Sequence, residues 1–341
     1  MWWNKARPWV AILAGTGLLG WLAARTAHPV RFPQPASWPP PVYDFKKNPL
    51  TEEGISLGRQ LFYDPILSRD STVSCSSCHL SYTAFTHVDH ALSHGIGDSI
   101  GFRNAPTLVN LAWGKHFMWD GAVHHLDMQA LAPISDPSEM GSSLEDAVDR
   151  LRRHDRYPDL FFLAFGDSMV TGEHLLLAMA QFQLTLVSAD ARYDRVQRGE
   201  AAFTEQEARG YALFRTHCNS CHTEPLFTNG GFANNGLSFD PLLADHGRWR
   251  VTRRQADSLL FKVPTLRNIE YSFPYMHDGR FRHLREVVRH YADGIVRHPT
   301  LSPALRQGIP LDAREQVDLV AFLLTLTDRE FLFDPALAYP H

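Results

Sequence analysis

All four cysteines of this chain fall in two copies of one short pattern, Cys75-Ser-Ser-Cys78-His79 and Cys218-Asn-Ser-Cys221-His222. Cys-x-x-Cys-His is the attachment signature of c-type haem. Each thiol pair can form thioethers to the two haem vinyl groups, and the adjacent histidine then serves as proximal iron ligand. Other readings fit less well. Disulfides across so short a ring would constrain the unfolded chain little. A thioredoxin-like pair belongs at a strand-to-helix turn, and neither copy has that setting. Four thiolates could hold zinc, but zinc gives no reason for a histidine after each pair. Two covalent haems account for every cysteine.

With 341 residues the chain suits two domains. Its hydrophobic content of 44% is ordinary, and a net charge of −4 gives no basic surface for nucleic acid. The motifs imply two mainly helical, cytochrome c-like haem domains with long loops, at 43–197 and 198–341. Eighteen histidines are more than two haems require, and most are expected at the surface.

Residues 1–28 stand apart. Lys5 and Arg7 precede an apolar run of about 17 residues, Pro8 to Ala24, closed by Arg25. A basic head and apolar core resemble an export signal. Arg25 spoils the small-x-small pattern of a cleavage site, which favours an uncleaved N-terminal helix as membrane anchor over a removed signal peptide. Either way the chain is expected in the periplasm. Residues 29–42 carry Pro29, Pro33, Pro35, Pro39, Pro40 and Pro41, which reads as an extended spacer off the membrane.

Helical patterns dominate the rest. Leu57, Leu61 and Phe62 share one face. Ser142-Ser-Leu-Glu145 reads as a capping box opening a helix through Val148 and Leu151, and Thr204-Glu-Gln-Glu207 as another, leading into the second haem motif. Leu175 to Val187 is nearly all apolar and should be buried. Asp312 caps a last helix with Val317, Val320, Leu323 and Leu324 on its inner side. Loops rich in Gly, Pro and Asn fill 83–110 and 223–250, which suits a core supplied by porphyrin. Internal repetition beyond the haem motifs is weak.

Further motifs follow each haem site. Arg103-Asn-Ala-Pro-Thr107, Trp119-Asp-Gly121 and Glu139-Met140 come after the first, and Pro225-Leu-Phe-Thr228, Phe261-Lys-Val-Pro-Thr-Leu-Arg-Asn268 and Pro274-Tyr-Met-His-Asp-Gly279 after the second. Together they resemble the bacterial di-haem cytochrome c peroxidase family, including its MauG branch, over about residues 50–330.

The resemblance implies a peroxidatic N-terminal haem and a six-coordinate C-terminal haem that relays electrons. Cleaving the O–O bond of hydrogen peroxide needs a group that moves a proton between its oxygens. The family's glutamate falls on Glu139 and its glutamine on Gln129. Without the resemblance, Glu139 would read as a surface carboxylate. Trp119 takes the place of the tryptophan that carries electrons between the haems. A distal ligand to the first iron would come from the loop holding His87, His90 and His94, with His94 nearest the register, though MauG-like members often lack it. For the second iron, Tyr291 falls where peroxidases have methionine and MauG has tyrosine, while Met276 lies just upstream. A thioether raises a haem potential and a tyrosinate lowers it; packing alone would also explain either residue. A calcium ion between the domains would be bound at Asn104, Ser272 and Pro274, by oxygens that suit a hard cation. One departure is Ala122, where relatives have arginine; His124 and His125 are the nearby candidates to replace its charge.

Three functions compete. The first is reduction of hydrogen peroxide to water with electrons from a small cytochrome c or cupredoxin. The second is MauG-like, peroxide-driven oxidation of a partner protein. The third is non-catalytic electron transfer between two six-coordinate haems, against which Gln129 and Glu139 in register argue. Relatives are often dimers, so a homodimer is among the expectations.

Overall fold

The computed structural model describes residues 27–340. The apolar segment expected to be a signal or anchor, 1–28, lies outside the described residues but for its last two. Among the described residues no helix is long and apolar enough to cross a membrane.

The architecture is mainly helical with two cytochrome c-type units. In the first, the helix Glu52–Tyr63 crosses the buried helix Gly172–Leu184. In the second, Glu205–His217 crosses Ala313–Leu324 in the same manner. A glycine permits each crossing. A methyl on Gly58 would lie 1.9 Å from the Ala178 carbonyl oxygen, and one on Gly210 1.9 Å from that of Asp318. Phe182 and Phe322, each four residues further on, pack over the same glycines. This is the repeat that sequence comparison of the two halves leaves nearly invisible. Among the described residues, strand is confined to Phe232–Ala233 paired antiparallel with Phe261–Lys262.

Leu57, Leu61 and Phe62 are fully buried, as their spacing predicts, and join Phe85, Phe161 and Phe182 in the first core. Thr204 and Glu207 form the expected box, each side chain accepting from the other's backbone N–H. Three expectations need correction. The helix Leu144–Arg153 is capped by Ser143, whose hydroxyl accepts from Asp146 N, rather than by Ser142. In the helix from Ala313, Val317 and Leu324 are exposed, and the inner face is Leu319, Phe322 and Leu323. The helix rolls because Asp318 turns inward to a bidentate bond from Arg209. Finally, 29–42 is no free spacer. Val30 N donates to Leu50 O, Trp113 Nε1 donates to Pro39 O, and Trp38 is buried edge-on to Trp113.

The chain end also returns. Arg59 donates to Ala338 O, Tyr63 OH to Leu337 O, and Phe331 and Leu332 sit in the first core. The second unit thus gives up its last residues to the first. Between the units, Arg103 bonds Asp245 through Nε and Nη2 at 2.6 and 2.9 Å and Asp120 through Nη1 at 2.7 Å. Arg267, wholly buried, holds Asp194 in a fork at 2.8 Å and Pro225 O besides. A buried fork of this kind satisfies both charges at once.

Candidate haem sites and the seam between them

The first thiol pair occupies one helical turn, Cys75–Cys78, and His79 follows at its end. Six residues on, the chain passes through left-handed Ala84 and Phe85, with φ +59° and +57°. That turn brings the Phe85 carbonyl to 2.6 Å from His79 Nδ1. The second site repeats the device. Phe227, φ +54°, offers its carbonyl at 3.2 Å to His222 Nδ1, with Pro264 O at 3.1 Å. With Nδ1–H donating to a carbonyl, Nε2 is the ring atom left for iron. Burial lowers both histidines, His79 to about 4, so the imidazoles are neutral as ligation requires. The four thiols form no disulfide, and burial raises Cys75 and Cys218 to about 12. The residues present therefore fit two haems c. Phe85 and Phe227 are orienting residues that no motif flags.

Beside the first thiol pair lie two expected residues. The Cys78 thiol points at the His94 carbonyl, 3.5 Å away, and the Glu139 carboxylate raises both Cys75 and Cys78. The two segments are tied together, since Ile96 N donates to Glu139 O at 2.8 Å. Burial pushes the Glu139 carboxyl up to about 7, helped by Asp136. The His94 ring stacks on His90 at 4.1 Å, and His87 is buried with neither ring nitrogen hydrogen-bonded. Gln129 does not bond Glu139. Its oxygen accepts from Gln183 at 3.0 Å and its amide faces the Met118 sulfur at 3.9 Å.

The second site opens on a largely apolar cavity. Cys218, Cys221, His222, Met276, Tyr291 and Trp119 all line it. Asn235, absent from any sequence expectation, donates to the Met276 sulfur at 3.4 Å and also bonds the Tyr291 phenol. Burial raises that phenol to about 12, while the Asn235 bond pulls the other way. Met276 stands at φ +76°. Trp119 donates from Nε1 to Asn104 O at 2.8 Å, and its own carbonyl accepts from Lys262 N at 2.7 Å. Burial lowers the Lys262 ammonium, which lines the cavity, to about 8. Asn104, Ser272 and Pro274 come together on the same wall, with the Asn104 amide 3.0 Å from Pro274 O.

The structure supplies the charge that Ala122 leaves out from neither His124 nor His125. His124 pairs with His116 at 3.0 Å, and His125 accepts from Asp127 N. The cation at this turn is Arg248, which donates to Asp120 O at 3.0 Å and lies 3.9 Å from the Phe232 ring centroid. A methyl on Gly121 would clash with both Phe232 and Arg248.

Two thiol-pair sites, one with a buried acid beside it, define a di-haem c-type oxidoreductase acting on hydrogen peroxide. Comparison with known proteins agrees. A family model described as di-haem cytochrome c peroxidase matches residues 52–202, and one described as cytochrome c matches 207–327. The methylamine utilization protein MauG of Methylorubrum extorquens is 39% identical over 306 residues, covering 87% of this chain and 83% of its own. Cytochrome c551 peroxidase of Nitrosomonas europaea is 35% identical over 277 residues, covering 80% and 79%. A solved MauG-like protein associated with microbial copper homeostasis superposes with a TM-score of 0.82 at 34% identity, covering 91% of this chain and 99% of its own. The chain belongs to the bacterial di-haem cytochrome c peroxidase and MauG family.

Proposed function

We propose that the chain reduces hydrogen peroxide to water at the first haem site, drawing two electrons through the second from a small periplasmic cytochrome c or cupredoxin. The observation that carries this reading is Glu139, a partly buried carboxyl raised to about 7 beside the first thiol pair. Covalent haem, held by Cys75, Cys78 and His79 and by Cys218, Cys221 and His222, supplies the redox-active iron. Glu139 takes the proton from one peroxide oxygen and returns it to the other, so that water leaves. A pKa near the working pH suits a group that must do both. Gln129, fixed by Gln183, presents its amide as a donor. Trp119, hydrogen-bonded at both its indole and its carbonyl, is held in one pose on the wall of the second site, as a conductor between the sites requires. Lys262 is the cation available to a haem carboxylate.

Calcium fits Asn104, Ser272 and Pro274. Turning the Asn104 amide by half a turn puts its oxygen beside the Pro274 carbonyl, and neutral oxygens of this kind are hard-cation donors. The N-terminal apolar segment would hold the chain at the inner membrane, facing the periplasm.

Glu139→Gln tests the reading. Peroxide turnover should fall by about 10²–10⁴-fold with haem content unchanged; unaltered turnover removes Glu139 from the reaction. A second reading, MauG-like oxidation of a partner protein, is favoured by Tyr291, a buried phenol bonded by Asn235 in the second cavity. It predicts a tyrosinate ligand to the second iron and no turnover with any cytochrome donor.

A further inference from the structure

The segment Arg248-Trp-Arg-Val-Thr-Arg-Arg254 carries four arginines in a chain whose net charge is −4. Its middle forms the short helix Trp249–Thr252. Arg254 pairs with Asp257, and Arg248 reaches Asp120 O. Arg250 and Arg253 are exposed and, among the described residues, have no carboxylate partner. Aromatic faces fix them instead. The Arg250 guanidinium lies 4.4 Å from the Phe102 ring centroid, and that of Arg253 4.9 Å from Trp249. Stacked arginines keep their charge and lose little rotamer freedom when a partner binds. Lys115 adds to the same field, since it acts with Arg248 on His116. Val251, 39% exposed, supplies an apolar contact among these cations.

The position gives the patch a purpose. Arg248 N donates to Leu260 O, and Arg248 Nη1 to Asp120 O, the neighbour of Trp119. One peptide link, one side chain and one hydrogen bond thus join the partly exposed indole of Trp249 to the residue beside Trp119.

We propose that the Arg248–Arg254 turn is the docking site for the acidic face of a one-electron redox protein, with Trp249 at the point of electron uptake. Each docked donor is oxidised by one electron, and the oxidised second haem is reduced by one. Two donors and two protons from water balance one peroxide. The inference rests on the proposed use of an external donor, and its test is kept separate from peroxide.

The experiment uses the full oxidised holoprotein and measures haem reduction in a stopped-flow mixer without peroxide. The donors are a pre-reduced acidic small c-type cytochrome, a basic one, and hydroquinone as a neutral reductant. The acidic cytochrome should react faster than the basic one at low salt, and its rate should fall as salt is added. The double variant Arg250→Glu with Arg253→Glu should slow the acidic cytochrome by about tenfold or more, leave hydroquinone unaffected, and quicken the basic cytochrome. An unchanged rate with the acidic cytochrome, or one indifferent to salt, overturns the docking site. Peroxide turnover supported by hydroquinone tests the peroxidase reading by itself: its absence, with the charge effect intact, would sink that reading and leave the docking site standing.

Discussion

Glu139→Gln should make the protein less active and, above neutrality, more stable. Burial raises the Glu139 carboxyl from its ordinary 4.5 to about 7. Between those values the folded protein keeps a proton that the unfolded chain has released. Stability therefore falls as pH rises through this window, and the full cost is present above pH 7. Two and a half units at about 1.4 kcal/mol each give a cost of the order of 3 kcal/mol. Glutamine keeps the shape and never ionises, so the variant escapes that cost. At pH 8 its thermal midpoint should exceed that of the parent by several degrees. At pH 4.5, where Glu139 is protonated in the fold and half protonated in the unfolded chain, the two should nearly coincide. Calorimetry or circular dichroism on both holoproteins across this range, beside a peroxide assay, makes the test. A stability difference that does not vary with pH would refute the reasoning, whatever happens to turnover.

The close helix crossings give a second prediction. Gly210→Ala gains about 1 kcal/mol in helix propensity, but the methyl meets a carbonyl at 1.9 Å, and forcing the helices apart costs about 3 kcal/mol; guanidinium unfolding should show a net loss, and a gain would mean the crossing has slack. Arg267→Met strands Asp194 without its buried partner and should cost about 3–5 kcal/mol, with part recovered by adding Asp194→Asn. If tyrosinate ligates the second iron, Tyr291→Phe should raise that haem's reduction potential while Met276→Leu leaves it alone; a lowered potential in Met276→Leu, with Tyr291→Phe unchanged, assigns methionine.

What could be read from residues alone was what short spacing dictates. The thiol pairs, the Thr204–Glu207 box and the buried Leu175–Val187 run each depend on neighbours within a turn or two, and they stand where expected. Contacts between distant segments were opaque. Proline content pointed to a free spacer at 29–42, but Trp38 within it supplies enough apolar area to hold the strand down against Trp113. The last long helix rolls away from its apolar pattern because one ion pair, Arg209 with Asp318, outweighs the preference of Val317 and Leu324 for the interior. The cation at the Ala122 turn, Arg248, comes from far along the chain and so could not be read locally. Nor does any motif mark Phe85 and Phe227 as orienting groups, because their role lies in a backbone carbonyl and a left-handed φ rather than in the side chain.

The homing of residues 331–338 onto the N-terminal core has a bearing on biogenesis. Arg59 and Tyr63 find their partners only after residues 337 and 338 have been synthesised. The unit made first is thus the one finished last. Removing residues 331–338 should loosen the ground beneath the thiols at 75 and 78, far from the cut in sequence.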